Sequence, residues 1–356
     1  MTDYDIWFIL LKLSNKIKLN LIKNYKNTEE IYKLSFTTNN LHANIKEVLY
    51  NSFNKESIND FRIKLQKLDI KTVTFNEKLY PEKLRLLEDA PFILYYKGNI
   101  AKLNDCKNIS IIGSRKCTRY GIDVTSTIVK ELCKHNINVI SGLARGIDTA
   151  AHKASITNSG YTCAVLGSGI DVIYPRENKC IYNEIHNSGC IISEFDPGTP
   201  PLAYNFPIRN RIISILSDLV IIVEADIKSG SLITASLALE QGKDVMAVPG
   251  SLFSNQSKGT NKLIKDGAYP LTEVEDIFNL VGIDFNQCES ITYRSELNEN
   301  HKIFSVLSDA PMHIDDIIRR TNIDIKQLYE LLFELQLKEE ILCLSGNYYV
   351  RINNKI

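Results

Sequence analysis

The chain carries no net charge: 42 lysines and arginines balance 42 aspartates and glutamates over 356 residues. A protein that coats duplex DNA is expected to be basic, so any nucleic-acid site here has to be a local patch. No hydrophobic run reaches the roughly 20 residues that span a membrane. The apolar run Ile6 to Leu11 is too short for a signal-peptide core, so a soluble, cytoplasmic protein without a membrane partner is expected. Eight cysteines include no C-x-x-C pair and no Cys/His cluster at zinc spacing. That excludes a metal site and a disulfide scaffold, and leaves reduced, mostly buried thiols. The Gly-x4-Gly-Lys-Ser/Thr loop of P-loop ATPases is missing. Gly167-Ser168-Gly169 follows a strand but lacks the third glycine of a dinucleotide fingerprint, so no cofactor is expected. The carboxylates Asp148, Asp171 and Glu194 have no partner histidine or metal-ligand set, and Asp148 suits a helix cap equally well.

What is present is a repeating unit. Residues 109 to 148 read as strand, turn, helix, strand, turn. Ile109 to Ile112 break at Gly113-Ser114-Arg115, an amphipathic stretch runs from Gly121 to about His135, and Val139-Ile140 break at Ser141-Gly142. The pattern continues with strands at 161–166, 190–193, 219–224 and 244–248 and helices at 148–158, 178–188, 209–217 and 232–241. Such alternation predicts an α/β fold, a parallel sheet covered by helices on both faces. Thr72 to Phe75 and Phe92 to Tyr96 read as two further strands leading into it.

The flanks differ. Residues 1–62 read as short helices, with polar breaks such as Thr37-Thr38-Asn39-Asn40. Their mixed charge fits a small helical packing domain. Residues 283–299 are polar and weakly patterned, a linker. From 300 to 356, three helical stretches and a hairpin turning at Ser345-Gly346-Asn347 form a winged-helix pattern. That segment has seven Lys or Arg against eight Asp or Glu, and its third helix carries Glu330 and Glu334 beside Lys326. A DNA-reading helix should be basic, so a protein-contact or positioning role is expected. The predicted division is 1–62, 63–282, 283–299 and 300–356.

The strand-end loops fall on one edge of such a sheet, where doubly wound folds bind ligands. Ser and Gly there expose backbone N–H groups, and helix starts add partial positive charge. Arg115, Lys116, Arg119 and Arg145 add full charges, so the edge reads as a phosphate site. Ser229-Gly230-Ser231 and Thr234 stand at a helix start, where a cap and a phosphate site share one geometry. Asn205-Phe206-Pro207-Ile208-Arg209-Asn210-Arg211 has two readings. In one, Phe206 is core and the two arginines pair with carboxylates. In the other, Phe206 stacks on a base and the arginines meet phosphates, the arrangement that binds single strands.

These blocks in order, GSR (113–115), SGLARGID (141–148), TAAH (149–152), LGSGID (166–171), NFPIRNRIIS (205–214) and SGSLITA (229–235), resemble the DNA-processing protein A family, also called DprA or Smf. The match covers about residues 70 to 280. The resemblance implies an extended Rossmann fold flanked by an N-terminal helical (SAM-like) domain and a C-terminal winged helix. It implies single-stranded DNA binding, a homodimer that loads RecA recombinase onto incoming DNA in natural transformation, no dinucleotide cofactor and no catalysis. By motif match Gly113, Ser114, Arg115, Phe206, Arg209 and Arg211 would line the DNA pocket, with Arg119, Ser141, Gly142, Arg145, Asn205, Ser229, Gly230, Ser231 and Thr234 around it. Some relatives carry Lys just before the NFP block. Ala203 and Tyr204 stand there here, which implies either lower DNA affinity or compensation by another cation such as Lys228. The competing reading is a nucleotide sensor or hydrolase. A hydrolase would carry a Gly-Gly-Gly-Thr loop with a nearby glutamate, whereas the first glutamate after SGSLIT is Glu240.

Overall fold

The computed structural model describes residues 1–25, 27–37, 43–50, 52–285, 302–308, 310–337 and 340–351. Of the expected break at 37–40, Thr37 ends a helix and 38–40 lie outside the described residues, as does most of the expected linker, 286–299. By internal contacts the chain divides into two units, Met1–Val281 and Gly282–Ile356.

The first unit is built on a nine-stranded sheet. Its strands are β1 (Lys71–Thr74), β2 (Ile93–Gly98), β3 (Asn108–Ile112), β4 (Asn138–Ser141), β5 (Thr162–Val165), β6 (Cys190–Ser193), β7 (Leu219–Ile222), β8 (Asp244–Ala247) and β9 (Tyr269–Pro270), in spatial order 1-2-6-5-4-3-7-8-9. From β6 through β9 every pairing is parallel. β2 runs antiparallel to β1 and β6. The inner strands are β-branched runs buried at every residue, as a sheet covered on both faces requires. The few polar side chains inside them are partnered: Ser110 bonds Ser217, and Asn138 Nδ2 donates to Asn108 Oδ1 at 2.9 Å.

Five helices precede the sheet: α1 (Asp3–Leu10), α2 (Asn15–Asn24), α3 (Thr28–Thr37), α4 (Ala43–Leu49) and α5 (Lys55–Lys67). They share a core with it. Phe8 meets Phe92 edge-on at 4.9 Å and Phe61 lies 6.4 Å from Tyr95, within one apolar cluster that extends to Ile191 of β6. The helices between the strands are α6 (Lys102–Asp105), α7 (Arg119–Lys134), α8 (Ile147–Thr157), α9 (Lys179–Ser188), α10 (Asn205–Leu216), α11 (Gly230–Glu240) and α12 (Lys258–Lys265), and α13 (Glu275–Val281) follows β9. α7 buries Gly121, Thr125, Ile128, Val129 and Leu132, one stripe at helical spacing.

Two departures from the expected pattern have local causes. α10 starts at Asn205, not 209, because Pro207 lies in its first turn, where a missing N–H costs nothing. Periodicity did not mark α12, β9 and α13, which are all short. Of the seven cysteines among the described residues only Cys163 and Cys190 are buried, and Cys180 and Cys343 are exposed. The expectation of mostly buried thiols therefore holds only on the central strands β5 and β6.

The second unit has its own core. A helix α14 over residues 302–306, α15 (Ile314–Thr321) and α16 (Ile325–Leu337) pack with β10 (Met312–His313), β11 (Ile341–Leu344) and β12 (Tyr348–Arg351). Ile303, Leu307, Ile317, Leu328, Leu332 and Ile341 fill the centre, and β12 pairs with both other strands. This is a winged helix. No helix among the described residues is long and apolar enough to cross a membrane.

Candidate functional site

The chain runs outward from β3 through β4 and β5 to β6, then returns to build β7, β8 and β9 on the other side of β3. The connections after β3 and β7 therefore part in opposite directions at the sheet's carboxyl edge, and such a switch point leaves a crevice. A cleft of about 630 Å³ opens there. Gly113 to Lys116 come to it from β3, Asp226 and Lys228 to Ser231 from the loop after β7, Asp148 from α8, and Phe206, Arg209, Asn210 and Ile213 from α10.

Phe206 is half-buried. Its ring lies 5.5 Å from the Arg115 guanidinium and 5.9 Å from that of Arg209, within the range of a cation–π contact. The Tyr174 ring is 5.7 Å away. A Cβ on Gly167 would come within 2.8 Å of the Phe206 ring. The glycine that suggested a dinucleotide motif thus makes room for this phenylalanine. Both sequence readings of Phe206 are partly met: it packs against Gly167, and it also faces the cleft.

Arg209 lies on the same face of α10, one turn on, and is 4% exposed. Its Nη1 donates to Gly142 O at 2.7 Å and to Val165 O, and Nε donates to Asn210 Oδ1 at 3.0 Å. A Cβ on Gly142, just after β4, would sit 2.5 Å from that guanidinium, so any other residue there would push Arg209 from its place. Asp148 is buried beside it. Its Oδ2 accepts from Gly142 N at 3.1 Å and Ala144 N at 3.3 Å. Burial pushes the Asp148 carboxyl upward, opposed by the charge of Arg209. Burial brings Arg209 down to about 10, opposed by Asp148. Behind them His152 donates from Nδ1 to Thr162 Oγ1 at 2.7 Å, since that hydroxyl gives its own proton to Val139 O. Burial, then Arg209, lowers His152 to about 3. It is a neutral packing residue.

The remaining residues anticipated from sequence divide clearly. Gly113, Ser114, Arg115, Phe206, Arg209, Ser229, Gly230, Ser231 and Thr234 line the cleft. Ser229 caps α11, its hydroxyl accepting from Ser231 N at 3.3 Å. Ser141, Gly142, Arg119, Arg145, Asn205 and Arg211 are not in the lining. Ser141 Oγ donates to Ile111 O and Asn205 Nδ2 to Pro200 O, both structural bonds. Exposed Arg119 pairs with Asp123, and exposed Arg145 grips Glu177 through two hydrogen bonds of 2.7 and 2.8 Å. Arg211 points elsewhere: Nη2 meets Glu194 Oε2 at 2.6 Å and Nε meets Asp89 Oδ2 at 3.0 Å. Arg115, Lys116 and Lys228 are exposed, with no ion pair among the described residues. Sequence reasoning missed Tyr174, whose signal was the aromatic in the Ile173-Tyr174-Pro175 block. Asp171 bonds Gly198 N at 2.7 Å, a loop tie. The described residues contain no group of His, Cys, Asp and Glu able to hold a metal.

The sequence profile described as DNA recombination-mediator protein A matches residues 71–282, and that described as DprA winged helix domain matches residues 294–347. The DNA processing protein DprA of Streptococcus pneumoniae is 44% identical over 198 residues, 56% of this chain and 70% of that protein. Protein Smf of Escherichia coli is 33% identical over 306 residues, 83% of this chain and 82% of that protein. Among solved structures, that of Streptococcus pneumoniae DNA processing protein A aligns with a TM-score of 0.68 at 35% identity, covering 78% of this chain and 98% of the other. That of Helicobacter pylori DNA processing protein A aligns at 0.54 and 34%, covering 59% and 94%, and was described for its single-stranded DNA binding mode.

Proposed function

This chain belongs to the DNA recombination-mediator protein A family, and from that premise we propose that it binds single-stranded DNA in the cleft at the carboxyl edge of its sheet. One observation carries the reading: the half-buried ring of Phe206 stands in a cleft whose exposed cations, Arg115, Lys116 and Lys228, form no ion pair among the described residues. An aromatic face with unpaired cations around it suits an unstacked strand, because a base takes the ring and phosphates take the charges. The N-terminus of α11, with Ser229, Gly230 and Ser231, offers a further phosphate position. We assign Gly113, Ser114, Arg115, Phe206, Ser229, Gly230, Ser231, Thr234 and Lys228 to the DNA. Arg209, Gly142, Ser141, Asn205 and Arg211 hold the cleft in shape. Arg119 and Arg145 sit in exposed ion pairs worth little, which phosphates can open.

In the cell the protein would act, without catalysing a reaction, as a cytoplasmic homodimer that shields incoming single strands and delivers them to RecA recombinase during natural transformation. Residues 1–62, 63–282, 283–299 and 300–356 would serve as helical support, DNA-binding body, linker and winged-helix module. The test is fluorescence anisotropy with labelled single-stranded and duplex oligonucleotides. Single strands are expected to bind well ahead of duplex, with a salt slope of about −0.7 per phosphate contact. Equal affinities would refute the reading. Tight mononucleotide binding with turnover would establish the nucleotide-hydrolase alternative.

A further inference from the structure

Asp148 is a buried carboxylate at the cleft with one oxygen committed and one free. Oδ2 accepts both loop N–H groups, from Gly142 and Ala144. No group of the described residues donates to Oδ1, yet Oδ1 is not among the sealed, unpartnered buried atoms, and Asp148 belongs to the cleft lining. The free oxygen therefore opens on the cleft. Asp148 is not the cap that the sequence allowed: Gly146 is the N-cap of α8, and Asp148 lies in its first turn. Tying down the loop needs only Oδ2. A buried carboxylate costs folding free energy, and a second lone-pair set without a protein donor increases that cost. The neighbours of Asp148 also place it where a base would be. Its partner Gly142 accepts a hydrogen bond from Arg209 Nη1, and the Arg209 guanidinium is 5.9 Å from the Phe206 ring.

We propose that Oδ1 of Asp148 accepts a hydrogen bond from the exocyclic amino group of the base held in the cleft, so that the protein prefers amino-bearing bases to thymine or uracil. This rests on the single-strand reading of the cleft. The chemistry is one-sided. An ionised carboxylate only accepts. Cytosine presents its N4 amino group as a donor, and adenine its N6, whereas thymine presents the O4 acceptor at the same edge. Uracil has O4 where cytosine has the amino group, and an N3–H donor where cytosine has an acceptor, so tighter binding of cytosine assigns Oδ1 to the exocyclic amino group, and tighter binding of uracil would assign it to N3–H and overturn the proposal. Arg115 and Lys228 at phosphates would hold any sequence equally and add no preference of their own.

The experiment compares oligo(dC) and oligo(dU) of equal length on the full chain at neutral pH, for wild type and Asp148→Asn. Wild type is expected to bind oligo(dC) about ten-fold more tightly, the effect of roughly 1.4 kcal/mol. In the asparagine variant the amide oxygen takes the Oδ2 position, because two backbone N–H groups point at it, and the amide NH2 then faces the cleft as a donor. The preference should invert toward oligo(dU). A variant that loses affinity for both oligomers in equal proportion would show that Asp148 only shapes the loop, and would overturn the proposal. If Asp148→Asn melts early, the wild-type comparison decides alone: equal affinities overturn the proposal. Failure of both oligomers to bind wild type would instead refute the single-strand reading itself.

Discussion

At the scale of single residues, charge and stacking separate. Arg115 is exposed, forms no ion pair among the described residues and lies 5.5 Å from the Phe206 ring, so we assign its guanidinium to a phosphate. Arg115→Ala should weaken single-strand binding and flatten the salt dependence by about 0.7, one phosphate contact. Phe206→Ala should cost about 1–3 kcal/mol of binding with the slope unchanged. Its melting temperature should stay near wild type, because the ring is only half-buried. A fully buried phenylalanine would cost about 3–5 kcal/mol of stability instead, and a large drop in melting temperature would return Phe206 to the core. Titration of both variants across salt, with thermal melts, decides. The GSR loop could be placed at the sheet edge from sequence because it directly follows a strand, whereas Phe206 stayed open between core and stacking, since nothing in a single sequence says which way a helical side chain faces. The part played by Asp148 was not legible. Which of its oxygens is bonded depends on a loop folding back six residues, and no periodicity encodes that.

At the scale of the element, α10 shows what the pattern did contain. With 100° per residue, Phe206, Arg209, Asn210 and Ile213 share a face, and all four line the cleft. Arg211 projects from another face into the Glu194 and Asp89 pair, and Glu194 Oε2 also accepts from Asn15 of α2 at 3.2 Å. Reading the two arginines as one motif hid this difference; helical geometry separates them. Arg211 thus fastens α10 to the sheet edge and the N-terminal helices. Arg211→Met leaves Glu194 buried and unpaired, and should cost about 3–5 kcal/mol in denaturant unfolding, with Arg211→Met/Glu194→Leu recovering most of it. Burial raises the Glu194 carboxyl and Arg211 opposes it. Without the arginine the folded pKa rises further above the unfolded value. The folded state then binds a proton before the unfolded chain does, so the deficit of Arg211→Met should shrink as pH falls. A deficit that is constant with pH, or a double variant no better than the single, would place the effect in packing alone.

At the scale of the whole molecule, the balance of charge sets how much of the chain can touch DNA. The neutral sequence predicts a local patch, and at the switch point of the sheet Arg115, Lys116 and Lys228 supply exposed cations that form no ion pair among the described residues. Topology could be read because strand and helix alternate over some 140 residues, from 109 to 248. α12, β9 and α13 were too short for periodicity to mark. The winged helix has an independent core, and the exposed face of α16 presents Ile325, Tyr329 and Phe333 with Lys326, Glu330 and Glu334. A helix that reads a groove needs cations against phosphate, and this face offers one against two carboxylates. Three exposed apolar side chains at four-residue spacing suit a protein surface better. Deleting residues 298–356 should therefore leave the first unit folded on its own core. Single-strand affinity should stay within a few-fold of the full chain, and the salt slope should be unchanged. Anisotropy on the truncated protein, with sedimentation to confirm an unaltered oligomeric state, measures this. A loss of ten-fold or more together with a shallower slope would mean that phosphates are held by the C-terminal unit as well. Lys326, Arg319 and Arg320 would then be the residues to neutralise first.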